Sequence, residues 1–382
     1  GGSLGGVAPA ALVHSICGLY HLANHGPAQY ANDGFAREFA ERLLAAGGAL
    51  GPTRMGKVEV LPHHPGAFSE IAAAIARETP RLEVRLNTQV TAVTEAAHKL
   101  SLESGDRRST VATATSIDAS GDGVIAALIG APFEQEDSER LQRPAFVFAL
   151  AGLAQTALTD QRRFKIAGRI VEGVQRGDLP TGALGAGLRR GIHPGEAFVT
   201  IDLAGPEGYD PTDGATLMTL ESEGRDLAFA LASYLRTKVE GFEDSSICHL
   251  PSRIAVRESR RIVGRYRLET EDIERGARFD DAVALATWPI ELRETNRGPR
   301  LRFPEGDRPC EIPLRCLRFR DYDHLFMAGR CLSCSHGAQA SIRVIGTCLA
   351  TGEAAGRAAA LVAADRPCTA KNVRSLGAHS IP

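Results

Sequence analysis

In GFAREFAERLLAA (residues 34–46) the apolar residues Phe35, Phe39, Leu43 and Leu44 recur at helical spacing, and Gly47-Gly48 closes the segment. GAFSEIAAAIARE (66–78) repeats the pattern, and Pro80 stops it. The period then changes to two. LEVRLNTQVTAVTEA reads as one or two strands, KLSLES and RSTVATATSIDAS continue them, and Ser104-Gly105-Asp106 supplies a turn. GDGVIAALIG follows as a helix. From Arg143 the character shifts: AFVFALAGL and AFVTIDLAG (197–205) read as strands, 216–240 as one long helix, and 297–309 as a loop rich in Pro, Gly and Arg. Beyond 310 the text returns to small residues. An apolar strand at 324–328 ends in Gly329-Arg330, and a helix of Ala, Gly and Leu starts at Gly346.

This order predicts an α/β chain. One nucleotide-binding domain comes in two pieces, 1–140 and 310–382, with a mixed β-rich substrate domain inserted at 141–309. The 382 residues are enough for two domains, and no internal repeat is visible.

Charge narrows the partners. A net charge of −2 argues against nucleic acid, which calls for a basic face. The local basic run RESRRIVGRYR (257–267) reads most simply as a solvated face. Its Arg257, Arg260 and Arg261 also have the chemistry to clamp a carboxylate, or to pair with acids across a domain interface. The eight cysteines are unevenly spread, which points to a reducing, cytoplasmic setting and not to a disulfide framework. Cys331 and Cys334 form a CxxC without a second pair, so small buried residues are the simpler reading and no metal is expected. The apolar C-terminal helix is broken by Glu353 and Arg357, so no membrane span is expected.

Chemistry concentrates where strands end in glycine turns. SIDASGDGVIAALIGAP (116–132) places Gly121-Asp122-Gly123 after a strand and before a helix, close to G-x-G-x-x-A. A primary dinucleotide fingerprint would need an acidic residue ending a second strand, and the acid-rich FEQEDSER follows instead. A capping aspartate at a strand-to-helix turn is the plainer alternative. Among the histidines, His63, His64 and His336, the last sits in the most informative segment and is the candidate proton carrier.

Several of these stretches together resemble the FAD-dependent oxidoreductases related to glutathione reductase and fumarate reductase. The C-terminal DYDHLFMAGRCLSCSHGAQASIRVIGTCLATGEAAG is similar to that family's flavin-contacting segment, and IDASGDG, with Asp118, to its return to the FAD domain. The resemblance implies FAD as cofactor. Gly1, Gly2, Gly5 and Gly6 would lie beneath the pyrophosphate and ribityl chain, and Val90 would pair with the adenine edge. Gly121, Asp122, Gly329, Arg330, Ser341, Ile342, Arg343 and Thr347 would surround the flavin, with the helix from Gly346 aimed at its O2 side. Arg315 in EIPLRCL would point toward the flavin. WPIELRE carries Arg293 where the family often has a histidine, which puts histidine-dependent proton transfer there in doubt. His336, Arg293 and Arg315 are the catalytic candidates.

The implied activity is hydride transfer between a small organic substrate, anionic or polyhydroxylated, and flavin N5. The alternatives are a non-catalytic binding module that has lost its nucleotide site and a flavin-dependent hydroxylase. The family's GxGxxG unit and ribose-binding Glu are not in this text. The expectation is that they precede Gly1 in a longer protein, with a second chain or a degenerate relative as the alternatives.

Overall fold

The computed structural model describes residues 1–22, 26–94, 96–295 and 298–376. Its centre is a parallel strand pair. Ser116–Asp118 lies beside Leu325–Met327, with Ser116 opposite Leu325 and Met327 opposite Asp118. The helix Ile345–Ala363 packs across this pair. Its buried face, including Thr347, Ala350, Thr351, Ala354, Ala355, Ala358 and Ala359, is almost all small. Small side chains let a helix approach a sheet closely, which fits the alanine and glycine pattern of the sequence.

The two amphipathic helices form as expected, at Phe35–Ala45 and Pro65–Glu78. The second is capped by His64, whose Nδ1 accepts from Gly66 N at 3.2 Å. Phe39 and Phe68 meet between the two helices with ring centroids 4.5 Å apart. The strands Gln89–Thr94, Lys99–Ser104 and Arg107–Ala112 form an antiparallel meander. The first is shorter than the pattern suggests, because Asn87 sits at φ 50° and turns the chain just before it. The loop expected at 297–309 also contains a strand: Arg300–Arg302 pairs with Ile290–Leu292.

A four-stranded antiparallel sheet runs in the order Gly187–Arg190, Ala197–Asp202, Ala145–Ala151, Ser246–His249. The helix Gly214–Lys238 covers it, started by Asp213, whose carboxylate accepts from Thr216 N at 2.9 Å. This sheet and its helices share one apolar cluster running from Leu141 to Ile254. Residues from Ile262 to Leu317 pack instead with the parallel strand pair and the C-terminal helices.

Candidate functional site

The parallel pairing brings two glycine turns together. Asp118, buried at the end of its strand, accepts from Ser120 N at 3.0 Å and from Ile125 N at 2.8 Å, so its carboxylate holds the turn that starts the helix Val124–Ile129. Gly121 and Gly123 both take left-handed φ, at 78° and 61°. Across the pair, Gly329 turns the chain at φ 73°, and its N–H donates to Thr351 Oγ1 at 3.2 Å. Arg330 then reaches back and donates to Asp122 Oδ1 at 2.8 Å and to Ser259 Oγ at 3.0 Å. Ser259 Oγ in turn lies 2.7 Å from Asp122 Oδ1. A side chain at Gly121 would stand 2.9 Å from the Arg330 guanidinium, so this arrangement requires glycine there.

A second assembly surrounds the helix His336–Ile342. His336 Nδ1 is 2.9 Å from Glu258 Oε1, and its Nε2 is 3.3 Å from Glu294 Oε1. Arg261 donates to Glu258 at 2.5 Å and to Glu136 at 2.9 Å. Burial opposes a charge on His336, but the hydrogen bond and charge of Glu258, with help from Glu136 and Glu294, raise its pKa above the ordinary histidine value. Glu136, Glu258 and His336 are close enough to ligate a metal. Arg261, bonded to both carboxylates, already supplies the cation there.

Deeper in, Asp202 is gripped by Arg257 at 2.8 Å and Arg293 at 2.9 Å. Arg293 also pairs with Glu291 at 2.8 Å, and Trp288 Nε1 donates to the other Glu291 oxygen at 2.8 Å. Burial pushes the Glu291 carboxyl up, but Arg293 and Arg343 outweigh it and hold the group at about 2. Gln142 donates to Gln339 Oε1 at 2.8 Å and accepts from Arg343 at 3.2 Å, tying the sheet-bearing segment to the C-terminal helices. Ser341 Oγ donates to Trp288 O at 2.5 Å.

The helix Ile345–Ala363 begins against the loop around Gly18. Gly346 N donates to Cys17 O at 2.9 Å. A Cβ on Gly18, itself at φ 69°, would lie 3.0 Å from Thr347 Oγ1, and that hydroxyl is buried without a hydrogen-bond partner.

The structure thus gathers Gly121, Asp122, Gly329 and Arg330 into one cluster. It sets Ser341, Ile342, Arg343 and Thr347 on neighbouring turns, with Ile342 wholly in the core. His336 and Arg293 join the adjoining ion network, where both make structural ion pairs. Arg315 does not. The short turn after Cys310–Pro313 points it outward, over the Tyr266 ring at 4.7 Å and beside Asp281 at 3.4 Å, with its side chain 45 % exposed. The basic run is not the solvated face it reads as: Arg257 and Arg261 are largely buried, and its arginines are committed to internal partners instead of being free to clamp a carboxylate. Arg257 is on Asp202, Arg261 on Glu258 and Glu136, and Arg260 donates to Thr212 at 3.0 Å. The GGSLGG loop rests elsewhere. Gly1 O accepts from Asn87 N at 2.9 Å, Leu4 O accepts from Ser69 Oγ at 2.8 Å, and Gly2, Gly5 and Gly6 share this loop. Val90 is half-buried in the meander, opposite Leu102. Ser259, which joins the two glycine turns, and Thr351, which holds the Gly329 turn, carry no sequence signal of their own. Ser259 stands inside the basic run, where the arginines draw the attention.

A parallel strand pair flanked by glycine turns, with a small-faced helix laid across it, defines a nucleotide-binding oxidoreductase fold of the flavoprotein type. The chain belongs to the FAD dependent oxidoreductase family, whose family model matches residues 1–378. Among curated proteins none matches. Solved structures to which the chain is similar include the OxyS anhydrotetracycline hydroxylase from Streptomyces rimosus. It is 12 % identical, with a TM-score of 0.40, over 86 % of this chain and 51 % of that one. The p-nitrophenol 4-monooxygenase PnpA from Pseudomonas putida is 11 % identical, with a TM-score of 0.37, over 93 % and 65 %. A geranylgeranyl bacteriochlorophyll reductase-like protein from Thermoplasma acidophilum is 10 % identical, with a TM-score of 0.36, over 85 % and 61 %. The chain spans about half to two-thirds of the length of these proteins. Among the described residues no helix is long and apolar enough to cross a membrane.

FAD is the cofactor of this family. The Thr347 hydroxyl suits its ring, being buried and unpartnered at the start of a helix. The space does not. Where the ring would approach the helix start, Gly18 and Gly346 already touch, since a Cβ on Gly346 would lie 2.5 Å from Gly18 C. In this conformation the residues present do not enclose the cofactor.

Proposed function

We propose that the protein is an FAD-dependent oxidoreductase that moves a hydride between a small organic substrate and the flavin. The observation that carries this reading is the meeting of Gly121-Asp122 with Gly329-Arg330, joined through Ser259. In this reading 1–140 and 310–382 form the cofactor domain. The segment with its own apolar cluster, 141–256, is the substrate-facing insertion, and 257–309 packs with the cofactor domain. Flavin entry requires the loop around Gly18 to withdraw from the start of the helix Ile345–Ala363. Asp122 and Arg330 set the turns that face the cofactor. Arg293 and His336 position the arginine and carboxylate groups around it.

The test is reconstitution of the purified protein with FAD, followed by desalting and a visible spectrum. The reading expects a retained flavin band at about 450 nm, since the flavin supplies the redox chemistry, and anaerobic bleaching by an oxidisable organic substrate. Bleaching only by NADH or NADPH would move the assignment to a hydroxylase. Absence of any retained flavin would defeat both.

A further inference from the structure

Charge is unevenly matched in the buried network around Glu291. Arg257 and Arg293 share Asp202, and Arg293 also holds Glu291. Two more arginines reach the same place, and neither forms an ion pair among the described residues. Arg343 donates only to neutral oxygens, Gln142 Oε1 at 3.2 Å and Glu291 O at 3.3 Å, and its Nε is buried with no partner. Arg189, on the strand Gly187–Arg190 of the four-stranded sheet, points its Nη1 at Met55 Sδ, 2.8 Å away. A thioether is a weak acceptor and carries no charge. Both arginines interact electrostatically with Cys17, Glu291 and Arg293, so they face one locus.

Glu291 acts on both arginines and Glu258 on Arg343, but Glu291 is already paired with Arg293 and Glu258 with Arg261. Burial pushes the Cys17 thiol up to about 12, so it stays uncharged. The adjacent helix start adds a positive dipole end, and Thr347 Oγ1 is a further buried group without a partner. The locus therefore holds more guanidinium groups than carboxylates. Leaving a guanidinium buried and unpaired is costly, and strongly perturbed ionisable groups of this kind cluster at functional sites. An apolar cluster adjoins the arginines: Val58, Val60, Trp288 and Val344 are buried together, with Cys17, Met55 and Phe303 packed against them.

We propose that Arg189 and Arg343 recognise the carboxylate of a small organic acid whose body is apolar. This inference rests on the oxidoreductase reading and names its substrate class. A guanidinium presents paired N–H groups to the two oxygens of a carboxylate, and the apolar cluster receives the rest of the molecule.

The experiment is a thermal-denaturation titration of the full chain with sodium benzoate at constant ionic strength, run beside benzamide and inorganic phosphate. The expected result is a saturable rise in Tm with benzoate and none with benzamide, because only benzoate carries the charge. Arg189→Met abolishes the rise and also increases the Tm without benzoate, since it removes an uncompensated buried cation. Arg343→Lys, which keeps the charge but loses the paired donors, weakens the response at least tenfold in benzoate concentration. A benzoate response that persists in Arg189→Met overturns the proposal. So does an equal response to phosphate, or a wild type that ignores benzoate. Flavin content is read by absorbance in the same samples. Benzoate binding without retained flavin would overturn the oxidoreductase reading alone, and retained flavin without benzoate binding would overturn this proposal alone.

Discussion

Replacing Gly346 by alanine tests whether the helix Ile345–Ala363 begins in backbone contact with the loop around Gly18. On helix propensity alone the change should stabilise the protein by about 1 kcal/mol. The structure argues for the opposite sign. The new Cβ would lie 2.5 Å from Gly18 C and 2.5 Å from Leu19 N, both backbone atoms that no side-chain rotation can clear. Ordinary contacts are about 3.5–4.0 Å, so loop and helix must part by roughly an ångström. Forced overpacking of this kind costs about 1–3 kcal/mol. Loss of the Gly346 N to Cys17 O bond, 2.9 Å long, adds about 1 kcal/mol. Set against the propensity gain, the net expectation is a destabilisation of about 1–3 kcal/mol. The same helix supplies the controls. A methyl group added at Gly352 or Gly356 would meet nothing within 4 Å, so Gly352→Ala and Gly356→Ala should each stabilise by up to about 1 kcal/mol. Urea midpoints of the three variants at constant m-value decide the matter. A Gly346→Ala protein as stable as Gly352→Ala would refute the close approach, and with it the proposal that the loop around Gly18 must withdraw for flavin to enter.

Ser259→Ala should cost about 1–3 kcal/mol in urea unfolding, because it takes one hydrogen bond from Arg330 and one from Asp122 in a buried cluster. Arg261→Met leaves Glu258 and Glu136 facing each other without their shared cation, and a loss of about 3–5 kcal/mol is expected. Adding Glu258→Gln should recover part of that loss, and no recovery would show that Arg261 acts through its packing. Acid should weaken the fold early. Burial, with Arg189 nearby, lowers His14 to about 3, and burial lowers His63 to about 4, so both are neutral when folded and take up protons more readily when unfolded. Their contribution is complete above the ordinary histidine value of 6.5 and is lost as pH falls toward the folded values. For His63 this is on the order of 3 kcal/mol, so the urea midpoint of His63→Leu should fall less steeply with acid than that of the wild type. With thiol reagents on the native protein, Cys248 should label first because it is exposed, whereas Cys331 and Cys334 should stay unreactive until unfolding because burial raises both thiols.

The helices were legible because their evidence is local. Phe35, Phe39 and Leu43 repeat at the spacing the helix needs. The two glycine turns were also readable, since turn residues after an apolar strand make a short-range signal. What joins and holds them was not, because Ser259 and Thr351 act through strand pairing and helix packing between distant segments. The arginine run misled for a related reason. Glu258 lies within the run, but its other partners, Asp202 and Glu136, are distant in the chain, and only the fold brings them to Arg257 and Arg261. Arg189 had the reverse problem. In GLRR it resembles a surface residue, and its burial depends on Met55, which lies far away in sequence. The insertion was placed by a change in composition near 143 and by the return of small residues at 310. The apolar cluster ends near 254, because the segment between turns back onto the strand pair.

The parallel strand pair also sets an order of events. Asp122 and Arg330, which meet beside it, are separated by 208 residues. Synthesis proceeds at about 5–20 residues per second, so on a ribosome the first strand waits roughly 10–40 s for its partner. During that interval the four-stranded sheet, whose apolar cluster closes on itself by Ile254, has everything it needs to form. The half built around the parallel strand pair is therefore the last to finish. Until Leu325–Met327 arrives, the edge of Ser116–Asp118 stays open, and that interval is when the newborn chain is most exposed to mispairing and to chaperone capture.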